Sequence, residues 1–395
     1  MSIDIVAVRR DLHAMPEVGL DLPLTQAYLL DRLVESGIEL TLGTAMSSVT
    51  AVVRGGRVDR SNPSQVPTVL VRSDMDALPV AEDTGLDWAS GNGAMHACGH
   101  DAHMAIVLAA ALETQERRAD LTGDVIFFFQ PGEEGHGGAK LALEEGLLGV
   151  SGARPVAALG LHVLAHLLGA GEFASREGAV LSGSTLVDVT ITGSGGHGSS
   201  PHLARSPLTA AAEAVGAVGI AASHGVSMFE PAAVVFGALR AGEARNVIPD
   251  NASLSGVIRS FSEDTDARLQ SIVRRTVDGV AHAHGVEAEV VLTQDTVPTV
   301  SNGIELDRLD AIAAGVGTSV TRLQQPIGIS EDFSWILREV PGVFLLVGAR
   351  TSDESHLPSN HSARATFSDD VLAPTRDLIV AWVQGRLTDP TRTVH

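Results

Sequence analysis

The chain has 395 residues, 27 Lys and Arg against 48 Asp and Glu, a formal net charge of −21 and 44 % hydrophobic residues. That length exceeds the roughly 250–300 residues at which a single core stops growing, so two domains are expected, and the composition excludes wholesale disorder. A charge of −21 repels phosphate backbones and anionic lipid, which disfavours nucleic-acid and membrane-surface roles. Cys98 is the only cysteine, so no intramolecular disulfide forms and no oxidising compartment is needed. Residues 1–10 lack the continuous apolar core of a secretory signal, and no stretch approaches the roughly 18 apolar residues of a membrane span. A cytoplasmic location is the resulting expectation. Several of the 15 histidines sit beside Gly, Asp and Glu in short clusters, a first pointer to metal chemistry.

In chain order, residues 25–37 read as a helix with a Leu29, Leu30, Leu33, Val34 stripe, closed by Gly37. A buried strand follows at 68–72, and Ser73-Asp74-Met75-Asp76 leaves its C-terminal end. Residues 101–118 have helical periodicity with Asp101 as the expected N-cap. The run Val-Ile-Phe-Phe-Phe within 124–130 suits a central strand covered on both faces, and 131–138 breaks regularity with four glycines and two glutamates. Another buried strand spans 156–163. Strands alternating with helices indicate an α/β sheet with helices on both faces, in which ligands collect at strand C-termini.

The middle of the chain has another rhythm. Residues 185–192 alternate, with Val187, Val189 and Ile191 on one face. A helix at 207–224, strands at 233–241 and 252–261, a helix at 262–284 and a strand at 286–293 complete the order β-α-β-β-α-β of a ferredoxin-like domain. The α/β character then resumes with a helix at 304–314, a buried strand at 342–349 and a helix at 370–384. The expected division is a catalytic α/β domain split between residues 1–181 and 299–395, with an inserted α+β domain at 182–298.

The densest cluster of reactive side chains is Met95-His96-Ala97-Cys98-Gly99-His100-Asp101-Ala102-His103. Cys98 and His100 stand two apart, so they converge on one ion only from a turning loop, which Gly99 permits; the alternative is a buried thiol beside helix-capping histidines. Glu133 and Glu134 follow the apolar strand directly, and adjacent carboxylates pointing apart can divide labour, one binding metal while the other moves the proton of the attacking water. A solvated acidic loop is the alternative. Asp74 or Asp76 could orient a ligating histidine, or simply end the strand. His162, at a strand end, and His361, in Asn360-His361-Ser362, are ambiguous singly. Together, Cys98, His100, Glu134, His162 and His361 are donors suited to zinc or its neighbours, more than one tetrahedral ion needs and enough for two ions sharing a bridge.

These residues, together with 11–17, 72–79, Gly195-Gly196-His197, Arg245-Asn246-Val247-Ile248-Pro249 and Ser330-Glu331-Asp332-Phe333, occur in the order of a known family. The chain resembles, nearly end to end, the aminoacylase, hippurate hydrolase and indole-acetyl-amino-acid hydrolase family of dinuclear metallo-amidohydrolases. The resemblance implies a zinc-peptidase-like mixed sheet carrying a ferredoxin-like lid used for homodimerisation. It implies that Cys98 is a bridging thiolate and that His100, Glu134, His162 and His361 complete a site for two divalent ions, Zn²⁺ or Mn²⁺, Co²⁺ or Ni²⁺. It gives Glu133 the role of general base and Asp76 that of a supporting carboxylate. His197 would stabilise the oxyanion, reaching the site of the partner subunit, and Asn246 and Arg245 would lie near the substrate carboxylate, or else hold the lid loop. Glu331 and Asp332 match the motif as structural support. The implied activity is hydrolysis of N-acyl amino acids, small-molecule substrates with N-acetyl, N-benzoyl or similar groups. A dipeptidase or carboxypeptidase is the near alternative, and a catalytically silent metal- or ligand-binding relative the distant one.

Overall fold

Val125 to Phe129 form the middle of the strand Asp124–Gln130, buried at every position. It runs antiparallel to Val49–Val53 on one side and parallel to Thr68–Asp74 on the other, and Thr68–Asp74 runs parallel to Ala157–Leu164. These strands belong to an eight-stranded mixed sheet. Its order is Glu39–Leu42, Val49–Val53, Asp124–Gln130, Thr68–Asp74, Ala157–Leu164, Gly342–Gly348, Phe173–Ser175, Val320–Arg322. Thr68–Asp74, Ala157–Leu164 and Gly342–Gly348 are also buried throughout, as expected of strands covered on both faces. The helix His100–Glu116 is buried from His100 to Leu112, and it shares one core with Phe127, Phe129, Leu159, Leu161, Leu345 and Trp382.

This computed structural model describes residues 3–351 and 357–388 and divides into two units. One runs from the N-terminus to Val180 and includes Val300–Gln325 and the chain from Asp332; the other comprises Leu181–Thr299 and Pro326–Glu331. Residues 1–2, within the segment read against a secretory signal, and 352–356 and 389–395, within the segment assigned to the second part of the catalytic domain, lie outside the described residues. Among the described residues no helix is long and apolar enough to cross a membrane.

Three parallel strands end on the same side of the sheet in the first unit, so the segments after Asp74, Gln130 and Leu164 leave from one edge. Two local expectations change. The helix expected at 25–37 is Pro23–Val34, opened by its proline, while Gly37 stands beyond its end at φ +72°. The cap of the helix His100–Glu116 is Gly99 at φ +88° and not Asp101. Asp101 is drawn away from the backbone because its buried carboxylate meets Arg9 Nε at 3.1 Å and His13 Nδ1 at 2.9 Å.

The second unit has strands Gly183–Thr192, Ala232–Ala241, Asn251–Ser260 and Glu287–Thr296 and helices Pro207–Gly225 and Glu263–His284 in β-α-β-β-α-β order. The sheet order Ala232–Ala241, Asn251–Ser260, Gly183–Thr192, Glu287–Thr296, antiparallel throughout, is ferredoxin-like. Val187, Val189 and Ile191 pack with Ala210, Ala211, Ala214, Leu269 and Val273 in a separate core.

Candidate metal centre

Gly99 makes the turn that the Cys98/His100 spacing demands. A methyl group there would stand 2.4 Å from Val163 Cγ2, so both its positive φ and the close approach of the Ala157–Leu164 strand require glycine. The turn leaves Cys98 and His100 buried, Cys98 on the loop and His100 in the first turn of its helix.

His100 and His162 are each oriented by a bond from one ring nitrogen. His100 Nδ1 donates to the backbone carbonyl of Asp76 at 2.7 Å, which aims Nε2 inward, and this buried Nε2 makes no hydrogen bond. His162 Nδ1 donates to the carbonyl of Val163 at 2.8 Å, leaving Nε2 3.3 Å from Cys98 Sγ. His361 Nε2 lies 3.2 Å from Cys98 Sγ and 3.2 Å from Glu134 Oε1. His103, one turn after His100, does different work. Its Nε2 accepts the backbone N–H of Val163 at 2.8 Å and its Nδ1 donates to Asp74 at 2.6 Å, so it braces two strand ends against each other. Asp74 also accepts from Arg72 at 2.8 Å.

The loop carrying Glu133 and Glu134 is held from below. The Asp76 carboxylate accepts the backbone N–H of Glu133 at 2.9 Å and of Glu134 at 3.0 Å. Asn360 joins three segments: its Nδ2 donates to the carbonyls of Cys98 (3.2 Å) and Val163 (3.0 Å), and its Oδ1 accepts from Ala165 N (3.0 Å). His361 then stands in the left-handed region at φ +70°, with its N–H on Ala97 O at 2.9 Å. Such a conformation in a non-glycine residue is held by its surroundings, and Asn360 supplies them.

Among the described residues five sets of three donor atoms lie within 4.8 Å of one another, among them His100, Glu133 and Glu134, and Glu133, Glu331 and Asp332; the two that include a thiol are Cys98, His100 and His162, and Cys98, Glu134 and His361. Cys98 is common to both. In another set, Asp74, His100 and His103, the Asp74 and His103 atoms are already committed to the hydrogen bonds just described, and His100 Nε2 stands 3.6 Å from Asp74 Oδ2.

The electrostatics of the bare protein fit a cation. Burial pushes the Cys98 thiol well above its ordinary range, and Glu134, Glu133 and Asp74 add to the shift, so the thiolate needs positive charge beside it. Burial drives His162 well below its usual value, keeping its ring neutral. Burial raises Glu134, but its hydrogen bonds to His361 and Cys98 and the charges of His100 and His361 together outweigh that and lower it, while His361 is raised in turn by Glu134. With the unpartnered His100 Nε2, these groups form a donor set suited to divalent metal.

Of the residues expected at the site, the first unit brings together Cys98, His100, Glu134, His162, His361, Glu133 and Asp76. The other three lie in one ribbon of the second unit. His197 belongs to the short strand Gly196–His197, paired with Val247–Ile248, and its exposed ring accepts from Ser199 Oγ at 2.8 Å. Arg245 and Asn246 immediately precede that partner strand, and the Asn246 carbonyl accepts from Gly198 N at 2.9 Å. His103 and Asn360 are supporting residues that the motifs contained without revealing their work; a histidine one helical turn after His100 and an asparagine beside His361 were the available signals.

Comparison with known proteins adds the family. Residues 70–384 match peptidase family M20/M25/M40. The chain is 32 % identical over 372 residues to thermostable carboxypeptidase 1 of Saccharolobus solfataricus, covering 93 % of this chain and 91 % of that one. It is 34 % identical over 362 residues to N-acetyldiaminopimelate deacetylase of Streptococcus sanguinis, covering 90 % and 93 %. A Bacillus subtilis structure described as a dinuclear metal binding peptidase from the M20 family superposes with a TM-score of 0.82 at 28 % identity, covering 97 % of each chain. The chain belongs to peptidase family M20/M25/M40 and is a metallo-amidohydrolase.

Proposed function

We propose that this enzyme hydrolyses the amide bond of N-acyl amino acids, with Cys98, His100, Glu134, His162 and His361 as the residues that would hold two divalent ions. The observation that carries this reading is the pair of donor sets sharing one thiol, with Glu133 on the same loop as Glu134. When bound, the ions supply Lewis acidity to the amide carbonyl and lower the pKa of the attacking water. Zn²⁺, Mn²⁺, Co²⁺ and Ni²⁺ all suit thiolate, imidazole and carboxylate donors. Glu133 takes the water proton and returns it to the departing amide nitrogen, so acid and product amine separate without a free charged amide leaving group. Asp76 keeps Glu133 and Glu134 in place through their backbone N–H groups. His197 stabilises the oxyanion in the site of the partner subunit of a cytoplasmic homodimer, and Arg245 and Asn246 bind the substrate carboxylate.

The deacetylase relative supports an N-acyl substrate, and the carboxypeptidase relative supports a second reading in which the acyl group is a peptide. Release of free amino acid from N-acetyl and N-benzoyl amino acids, beside a peptide panel, separates the two. Glu133→Gln is expected to retain metal and lower kcat by roughly 10²–10⁴-fold. Near-normal turnover in a metal-replete variant removes Glu133 from the chemistry.

A further inference from the structure

The chemistry proposed for the site leaves Asp332 without a role, although its side chain is a charge in the core. Asp332 is 2 % exposed, and a buried carboxylate persists only where donors surround it. Its Oδ1 accepts from Gln130 Nε2 at 2.7 Å and from Arg72 Nη2 at 3.0 Å; its Oδ2 accepts from Gln130 Nε2 at 2.9 Å and from the backbone N–H of Ala139 at 2.9 Å. Gln130 is the last residue of the strand Asp124–Gln130, and Ala139 is the second residue of the helix Gly138–Glu144. Between them lies the loop that bears Glu133 and Glu134. Arg72 continues the network to Gln130 Oε1 at 3.0 Å and to Asp74 at 2.8 Å.

We propose that Asp332 is a positioning residue for the reaction: it ties the two ends of the 131–138 loop together and thereby fixes where Glu133 stands against the substrate. Asp76 holds the same loop at the two glutamates, so the loop is fastened at its base and at its crown. The inference rests on Glu133 being the base.

Asp332→Asn tests it in the metal-loaded enzyme. Arg72, Gln130 and Ala139 all donate to the carboxylate, so an amide, with one acceptor oxygen, turns an N–H toward one of these N–H groups. The expected result is a kcat roughly tenfold to 10²-fold lower, the scale of a misplaced catalytic group, with KM and metal content close to wild type. In a Glu133→Gln background the same substitution should cost less than about threefold, because residues acting through one group are not additive. The double variant Gln130→Glu/Asp332→Asn returns a carboxylate to the network, able to accept from Arg72 and from the new amide, and is expected to recover most of the lost kcat. If D332N alone does not fold, that double variant is compared with Gln130→Glu for the same recovery. Unchanged kcat in D332N, an equal loss with and without Glu133, or no recovery in the double variant overturns the inference. Normal turnover in E133Q overturns instead the assignment of the base.

Discussion

At Asp76 hydrogen bonding and charge pull stability in opposite directions, and Asp76→Asn separates them. The buried carboxylate accepts two backbone N–H groups, at 2.9 and 3.0 Å. An amide supplies one acceptor and turns its own N–H groups toward the other donor, leaving a buried N–H unpaired at about 1–3 kcal/mol. Charge acts the other way: burial raises Asp76 from 3.8 to about 7, against the pull of His100 and of the two N–H groups. The folded protein therefore binds this proton more tightly than the unfolded chain. Its contribution is intact below about pH 4, declines as pH rises toward 7, and is lost above, and the roughly three-unit difference is worth about 4 kcal/mol. In metal-free protein at pH 8 the larger effect wins, so D76N is expected to be at least as stable as wild type and to show a flatter dependence on pH between 4 and 7. With divalent metal bound, positive charge nearby removes the penalty on the carboxylate, and only the unpaired N–H remains. D76N should then melt about 2–6 °C lower, with kcat reduced roughly tenfold or more as the glutamate loop shifts. Unfolding followed by circular dichroism, with chelator and with metal, at pH 5 and pH 8, measures each arm. Equal destabilisation of both forms at both pH values refutes the charge argument.

At Gly138 an added methyl group would stand 1.8 Å from the Pro131 carbonyl oxygen, so Gly138→Ala must displace the backbone of the glutamate loop. A loss of about 1–3 kcal/mol and a lower kcat are expected, and wild-type values in melting and steady-state assays would mean the loop yields freely. His13 lies between Asp101, 2.9 Å from Nδ1, and Glu82, 3.2 Å from Nε2. Burial lowers its pKa, but the two carboxylates outweigh that and raise it above 6.5. The stability it contributes is full below about pH 6.5 and lost as pH rises through the raised value, so His13→Asn should destabilise more at pH 6 than at pH 9.5 in urea titrations. Equal losses at both values refute the ion-pair account.

Residue type and strand position carried the site's inventory, because both are local. Five apolar residues before Gln130 specify a buried strand, a glycine between Cys98 and His100 specifies a turn, and donors just past parallel strands share an edge of the sheet. Orientation is not local. His100 and His103 stand one turn apart on one helix, yet one has a buried nitrogen that makes no hydrogen bond and the other is used at both nitrogens. What separates them is Asp74 and the N–H of Val163, which arrive from two other strands. Asp101 looked like a helix cap for the same reason: nothing near it in the chain announces Arg9, 92 positions earlier. Asn360 meets Cys98, Val163 and Ala165 from roughly two hundred positions or more away, and that convergence, with the His361 N–H on Ala97 O, accompanies the positive φ of His361. A candidate ligand can thus be picked out from its own neighbourhood, but the direction its lone pair faces is set by residues the chain brings to it last.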